Sequence, residues 1–375
     1  MTKKIIKIIL CATAIFGIVI SVVYTASNTP MTAFLNPLWS SSLGLYTNSK
    51  NETFEIQTKK PYTYINIPKS ADVPIGLIDN KPYEPDNNDP PSTTEETQQQ
   101  KQETDQPVSN GFPIVALDMS EKQTKDKLLC KNDSKYSPDV NELAKSEYPI
   151  KYSKQVFSNG ADQPVVLIVH THGTECYMPE NTSTYTSDTP TRTQDKNNNV
   201  VAVGKVLADT LNDCGVPTIH CETMFDAQSY SDSYNLSEKA VIEYIKKYPS
   251  IQYVFDVHRD SIVRENNEKI KTLSLIDNTP TAQAMFVVGT DSGGADHPNW
   301  TNNLTVASIF QYRLVEKYGT LMRPINIRYA SFNAEHAPGS ILIEIGTCGN
   351  TLSEAKNCAN LLGKTISEII LNDGL

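Results

Sequence analysis

The chain has 375 residues, with 43 acidic and 33 basic side chains, so its formal net charge is −10. A domain usually takes roughly 100–200 residues, so this length suits one or two domains with additional segments. The negative charge argues against a nucleic-acid partner, because phosphate binding requires clustered Lys and Arg. It does not exclude a neutral or mixed-charge polymer as the substrate.

Residues 1–27 are predicted to form an N-terminal membrane anchor. Lys3, Lys4 and Lys7 precede an apolar run from Ile8 to Tyr24, which is at the short end of the roughly 17–25 residues that a transmembrane helix needs. Basic residues tend to stay on the cytoplasmic side, so the rest of the chain is expected outside the cytoplasm. A cleaved signal peptide is the alternative reading, although Tyr24 would then stand where a small residue is usual.

Two polar segments follow the anchor. Residues 28–84 show no clear periodicity, and residues 85–111 are rich in Pro, Asp, Asn, Glu, Thr and Gln. The second segment has too little apolar surface to offset its ordering entropy, so it is predicted to be a disordered linker. Residues 112–375 are therefore predicted to be the folded, catalytic part. No Cys-x-x-Cys pair occurs in the sequence, which argues against a thiolate zinc site.

From residue 112 onward, apolar runs of strand length alternate with amphipathic helices. Such alternation predicts an α/β fold with a mainly parallel central sheet flanked by helices. Ligands bind at the carboxyl ends of the strands in such sheets. The predicted strands are 164–169, 251–257, 270–276, 284–289, 325–329 and 341–345, and the predicted helices are 195–215, one opening at a capping box over 235–238, 303–318 and 353–371.

Three of these strands bring chemically capable residues to one edge of the predicted sheet. His172 and Glu175 follow the first strand in a His-x-x-Glu pattern, His258 ends the second, and Glu344 lies within the last. Neutral imidazole and carboxylate are the usual ligands of a catalytic zinc. We therefore assign His172, Glu175 and His258 as zinc ligands.

Glu344 is the spare carboxylate, suited to act as general base and acid. It stands among apolar residues, where an ionised carboxylate is rarely buried without a partner. A structural salt bridge to Arg259 is the alternative. The order of these residues along the chain resembles that of zinc carboxypeptidases.

Several strings together resemble the stage II sporulation protein P family. The resemblance covers roughly residues 112–375 and does not include 28–84. It rests on 166–175, 192–201, 256–260, 288–291, 297–300, Asn303 with Leu304, Phe332 with Asn333, and 341–346.

The resemblance implies a peptidoglycan hydrolase of sporulation that uses zinc. Its activity would be that of an N-acetylmuramoyl-L-alanine amidase, with endopeptidase activity also attributed to the family. It further implies action at the forespore septum and engulfing membrane, beside stage II sporulation proteins D and M. The catalytic domain is similar to the zinc amidases of autolysins, which use a His-Glu-His site and a C-terminal catalytic glutamate.

Carrying the family roles across leaves alternatives open. The autolysin glutamate ligand opens the first long helix, which makes Asp195 a rival to Glu175, and His170 similarly rivals His172. Arg259 and Arg192 are candidates for binding a substrate carboxylate or the developing oxyanion, with structural pairing as the alternative. A catalytically silent peptidoglycan-binding scaffold and a metallopeptidase acting on protein are the competing functions.

Overall fold

The computed structural model describes residues 111–152, 156–157 and 163–373. The predicted anchor (1–27), the 28–84 segment and all but the last residue of the 85–111 linker lie outside the described residues. Within the described part of the chain, no helix is long and apolar enough to cross a bilayer.

The described chain alternates strands and helices, as the sequence predicts. The strands are β1 (Phe112–Leu117), β2 (Cys130–Asn132), β3 (Val166–Val169), β4 (Thr184–Tyr185), β5 (Thr218–His220), β6 (Tyr253–Asp260), β7 (Lys269–Ile276), β8 (Thr279–Ala282), β9 (Ala284–Gly289), β10 (Ile325–Arg328) and β11 (Ile341–Thr347). The helices are α1 (Val140–Leu143), α2 (Val200–Asp213), α3 (Ser233–Lys247), α4 (Trp300–Tyr318) and α5 (Leu352–Asp373).

Seven strands form the main sheet, in the order β2-β10-β9-β11-β6-β3-β5. All neighbours are parallel except β9 and β11, which run antiparallel. The mainly parallel sheet is therefore confirmed, with one reversal in direction at its centre. The strands β11, β6 and β3 run side by side in the same direction, so their carboxyl ends meet at one edge.

A second sheet of four strands, in the order β4-β1-β7-β8, lies outside the main one. The predicted 270–276 strand belongs to this smaller sheet, pairing with β1 and β8. A buried apolar run predicts a strand, but it does not say which sheet the strand joins.

Helices cover both faces of the main sheet. Along β3, Val166 and Ile168 pack in a core with α2, α4 and α5, whereas Leu167 and Val169 pack with α3. This alternation follows from the two-residue period of a strand. The functional side chains described below lie on the α3 face.

Two predicted helix starts are wrong. The helix predicted from Asp195 begins at Val200, where Asn199 is the N-cap and its side chain accepts a hydrogen bond from Val201 N. The predicted capping box over 235–238 lies inside α3, which begins at Ser233. Val200, Val203, Leu207 and Leu211 lie on one face of α2 and are all fully buried.

Candidate metal centre and its surroundings

Strand pairing places the first two functional side chains side by side. Glu344 on β11 is the register partner of His258 on the parallel strand β6. The core-facing residues of β6 are Tyr253, Phe255 and Val257, so Asp256 and His258 point to the opposite, α3 face. Glu344 and His258 are both buried there, with 5% and 3% of their surfaces exposed.

The structure brings His172, Glu175 and His258 together at the carboxyl ends of β3 and β6. One ligand atom of each residue lies within 4.8 Å of the others. His258 Nδ1 is 3.7 Å from Glu175 Oε2, and His258 Nε2 is 3.0 Å from Asp256 Oδ1. One ring nitrogen therefore faces the cluster while the other faces a carboxylate, a common arrangement for histidines that bind metals.

Backbone contacts fix the position of Glu175. Its Oε2 accepts a hydrogen bond of 3.0 Å from Arg259 N, and its backbone carbonyl accepts one of 2.9 Å from Val200 N. Glu175 thus lies against the first turn of α2, although it is distant from that helix in sequence.

The structure does not bring the rival residues into the cluster. His170 is fully buried, and its two ring nitrogens contact Val257 O at 2.9 Å and His220 Nε2 at 2.8 Å. Asp195 is exposed, and its carboxylate accepts hydrogen bonds from Asn197 N and Asn198 Nδ2. It stabilises a turn before α2 and is not the helix cap.

The guanidinium of Arg259 is committed to the backbone. It donates to Cys176 O at 2.9 Å, Thr191 O at 2.8 Å and Asp260 O at 3.3 Å. The side chain ties the chain after Glu175 to β6. These contacts fit a structural role for Arg259 and not the binding of a substrate carboxylate. The guanidinium pairs with the backbone and not with Glu344.

Arg192 is closer to the cluster and more exposed. Its Nη1 donates to Asp226 Oδ2 at 2.6 Å, and its Nη2 is 3.8 Å from Glu175 Oε1. Its guanidinium lies 4.7 Å from the ring centre of Tyr230. The tyrosine ring in turn stacks on His172, with the ring centres 5.0 Å apart.

A second tyrosine contacts His172 from α3. The ring of Tyr234 meets the imidazole edge to face at 5.6 Å, and it packs on Phe332 at 6.1 Å. The two tyrosines restrict the rotation of His172, which lies only partly buried at the rim of the cluster.

The charges in the cluster favour a cation. Burial disfavours a charged imidazole, yet Asp256, Glu175 and Glu344 together raise the pKa of His258 to about 10. Burial alone would raise the pKa of Glu175, but Arg259 and the two histidines lower it below its usual value. Burial lowers the pKa of His172 to about 4, which leaves its imidazole neutral. Ionised carboxylate and neutral imidazole are the forms that ligate metals.

Glu344 stands apart from this cluster. Burial and the nearby carboxylate of Asp260 raise its pKa above the usual range, while His258 and Arg323 oppose the rise. Its Oε2 is buried without a hydrogen-bond partner. A buried, unpaired carboxylate oxygen next to a candidate metal site is suited to exchange a proton with a bound molecule.

The donor set is compatible with a bound metal ion. It offers two imidazoles and one carboxylate, with no thiolate in the group. Such a set matches catalytic metal sites, in which three protein ligands leave one position open. A bound cation would take the place of the proton that Asp256, Glu175 and Glu344 favour on His258.

The other histidines outside the predicted site lie elsewhere. His220 contacts His170, His297 is buried beside Asn303 Nδ2 at 3.1 Å, and His336 pairs with Glu238 at 3.0 Å. None of these three histidines belongs to the cluster of His172, Glu175 and His258.

Sequence reasoning missed two residues of the site. Asp256 stands two residues before His258 on the same strand, and the two-residue period of a strand could have placed both on one face. Tyr234 carried no comparable signal, because its contact with His172 depends on where α3 packs.

This chain belongs to a known family. It matches the family described as Stage II sporulation protein P (SpoIIP) over residues 46–367. The match begins well before residue 112, so it also includes part of the 28–84 segment and the linker.

One curated relative is the Stage II sporulation protein P of Bacillus subtilis (strain 168). It is 27% identical over 220 residues, which are 56% of this chain and 51% of the relative. The chain therefore spans about half the length of the curated relative it matches.

Solved structures of amidases are also similar to the chain. The N-acetylmuramoyl-L-alanine amidase AmiC2 of Nostoc punctiforme is 13% identical, covering 56% of this chain and 97% of that one with a TM-score of 0.33. The CwlD amidase from Clostridioides difficile, solved in complex with the GerS lipoprotein, is 16% identical. The match covers 56% of this chain and 98% of that one, with a TM-score of 0.35.

Proposed function

We propose that this protein is a zinc-dependent peptidoglycan hydrolase of sporulation, acting as an N-acetylmuramoyl-L-alanine amidase. The observation that carries the proposal is the cluster of His172, Glu175 and His258 next to Glu344, whose Oε2 is buried without a hydrogen-bond partner on the adjacent strand. Membership of the sporulation family supports the choice of peptidoglycan as the substrate.

In this proposal His172, Glu175 and His258 hold the ion. Zinc fits two imidazoles and one carboxylate, and this set leaves a position open for water or substrate. When bound, zinc acts as a Lewis acid that lowers the pKa of water and stabilises negative charge on the scissile carbonyl.

Glu344 is the general base and acid. Its free Oε2 accepts a proton from the attacking water and returns it to the leaving nitrogen of the amide. The surrounding burial raises its pKa, so it holds that proton more readily than an exposed glutamate. The positive charges of His258 and Arg323 counteract this rise in pKa. They favour the ionised carboxylate of Glu344, which is the form that accepts the proton from water.

The cellular setting extends the proposal. We infer a single-pass membrane protein whose residues after the anchor are extracytoplasmic, at the forespore septum and engulfing membrane. The apolar run after three lysines supports the anchor, and the family supports a role beside stage II sporulation proteins D and M. Endopeptidase activity on cross-links is the secondary activity in this proposal.

Digestion of peptidoglycan tests the proposal. The full-length protein in detergent is incubated with purified sacculi, with and without a chelator, and the soluble fragments are identified by mass spectrometry. An amidase releases stem peptides with a free N-terminal alanine and leaves intact glycan strands. The Glu344→Gln protein prepared in the same way excludes a contaminating hydrolase.

Other outcomes identify the competing functions. Binding to sacculi without release of fragments would indicate a silent scaffold. Cleavage of protein substrates with untouched sacculi would indicate a metallopeptidase. Release that is insensitive to the chelator would remove the metal mechanism.

A further inference from the structure

A chain of polar side chains runs behind His258, on the side away from the metal cluster. His258 Nε2 lies 3.0 Å from Asp256 Oδ1, and Asp256 Oδ2 lies 2.6 Å from Thr171 Oγ1. Thr171 Oγ1 is 2.8 Å from Ser237 Oγ, which is 3.0 Å from Asn333 Nδ2. The chain connects β6, the end of β3, α3 and the loop before β11.

The chemistry of the groups fixes the donors at the two ends of this chain. An ionised carboxylate can only accept, so the single hydroxyl hydrogen of Thr171 goes to Asp256. The hydroxyl of Ser237 lies 2.8 Å from Thr171 Oγ1 and also donates to Tyr234 O at 3.0 Å. Asn333 has two amide hydrogens, which go to Ser237 Oγ and to Tyr234 O at 2.8 Å.

The loop at the far end of this chain is held in an unusual conformation. Phe332 has a φ of 54° and Asn333 has a φ of 56°, both in the left-handed region. Asn tolerates this region, but a bulky residue such as Phe rarely adopts it. Such strain persists where surrounding contacts over-determine it, often near functional sites.

These side chains are not placed to touch a substrate. Thr171 and Ser237 are at most 1% exposed. The cavity that borders them, Asp256 and Asn333 has a volume of about 10 Å³, roughly enough for one water molecule. Any effect they have on the reaction must therefore pass through another residue.

We propose that Thr171, Ser237 and Asn333 are positioning residues that, through Asp256, fix the ring orientation of His258 as a metal ligand. The inference rests on the proposed function, which makes His258 a ligand. It adds that the loop before β11 helps to set the metal affinity, although none of its residues belongs to the cluster. Outer-shell partners of ligating histidines typically account for roughly 10–100-fold in metal affinity.

Zinc affinity of the metal-free, full-length protein tests the inference, measured by competition with a chromophoric chelator. Thr171→Val keeps the shape of the side chain and removes the hydroxyl that donates to Asp256 Oδ2, while the backbone N–H of residue 171 still donates to Asp256 Oδ1. We expect it to weaken zinc binding by about 10–100-fold, and Thr171→Ser, which keeps the hydroxyl, to restore most of the affinity.

Two further variants test the distal part of the chain. Ser237→Ala removes the middle hydroxyl, and Asn333→Gly removes the amide while tolerating the positive φ. Both should weaken zinc binding by a smaller factor than Thr171→Val. If the effect passes through Thr171, Ser237→Ala should add almost nothing in the Thr171→Val background.

Ser308→Ala is the matched control. Ser308 is also fully buried, and its hydroxyl donates to Leu304 O at 2.8 Å within α4. Its variant should lose a comparable hydrogen bond and leave zinc affinity unchanged. Thermal unfolding of each metal-free variant verifies that the protein remains folded.

The outcomes separate this inference from the proposed function. Wild-type protein that binds zinc, together with folded Thr171→Val, Ser237→Ala and Asn333→Gly proteins that bind it equally well, would overturn the inference alone. A wild-type protein that binds no zinc would overturn the proposed function and the inference with it. Should Thr171→Val not fold, the Ser237→Ala and Asn333→Gly proteins decide the question.

Discussion

His258 and Glu344 are register partners on the parallel strands β6 and β11, and both point to the α3 face of the sheet. One belongs to the candidate metal cluster and the other does not. This pairing allows the two roles, holding a metal and moving a proton, to be tested separately.

Glu344→Gln should abolish most activity without loss of metal. The amide has nearly the same volume, so packing is preserved, but it cannot accept the proton of water. General acid–base catalysis typically contributes about 10²–10⁴-fold, and we expect at least that loss in the release of stem peptides. Elemental analysis should still find about one zinc per chain.

The same variant can contradict the assignment in two ways. Full activity would make Glu344 a structural residue, and loss of zinc would make it a ligand. Glu354→Gln is a useful control, because Glu354 is also a buried glutamate but pairs with Lys271 at 2.7 Å. Its variant should affect stability more than metal content.

Glu175→Ala and Asp195→Ala should differ sharply in metal content. Glu175 contributes a ligand atom to the cluster, whereas Asp195 is exposed on a turn before α2. We expect Glu175→Ala to lose both zinc and activity and Asp195→Ala to keep both. The reverse result, measured by zinc content after dialysis, would support the autolysin alignment and remove Glu175 from the site.

Much of the fold could be predicted from the sequence, because buried strands and amphipathic helices leave clear periodic patterns. The strands that carry His258 and Glu344 were predicted within a few residues. The reversal between β9 and β11 and the separate four-stranded sheet could not be predicted. Both depend on which strands pair over long distances, and an apolar run does not specify its partner.

The candidate cluster was accessible to sequence reasoning for a physical reason. Residues at the carboxyl ends of adjacent parallel strands must meet, so His172 and His258 could be placed together. The place of Asp195 and the contacts of Arg259 could not be foreseen. They depend on how the chain between Glu175 and α2 folds back, and this segment has no regular periodicity.

Arg259→Ala should mainly destabilise the fold. The change removes three hydrogen bonds from a charged donor to backbone carbonyls, each worth about 1.5–3 kcal/mol. Thr191 O and Asp260 O keep backbone donors from Cys176 N and Cys348 N, which limits the loss. We expect the free energy of unfolding, measured by denaturant titration, to fall by at least about 2 kcal/mol. Arg192→Ala should cost less, because its side chain is 36% exposed. A stable Arg259→Ala protein with a raised KM would instead assign Arg259 to substrate binding.

Zinc affinity should rise with pH. Nearby carboxylates raise the pKa of His258 to about 10 in the metal-free protein, so at neutral pH this ring carries a proton that must leave before the nitrogen can bind metal. Below that pKa, each unit increase in pH lowers the ratio of protonated to neutral His258 about tenfold. Zinc affinity should therefore rise about tenfold per pH unit. Competition titrations between about pH 6.5 and 8.5 measure the slope, and proton release into a weakly buffered solution gives the stoichiometry.

Replacing Asp256 by Asn removes the largest source of the raised pKa of His258, so the slope of zinc affinity against pH should flatten. An affinity independent of pH in the wild-type protein would show that His258 is already neutral or is not a ligand.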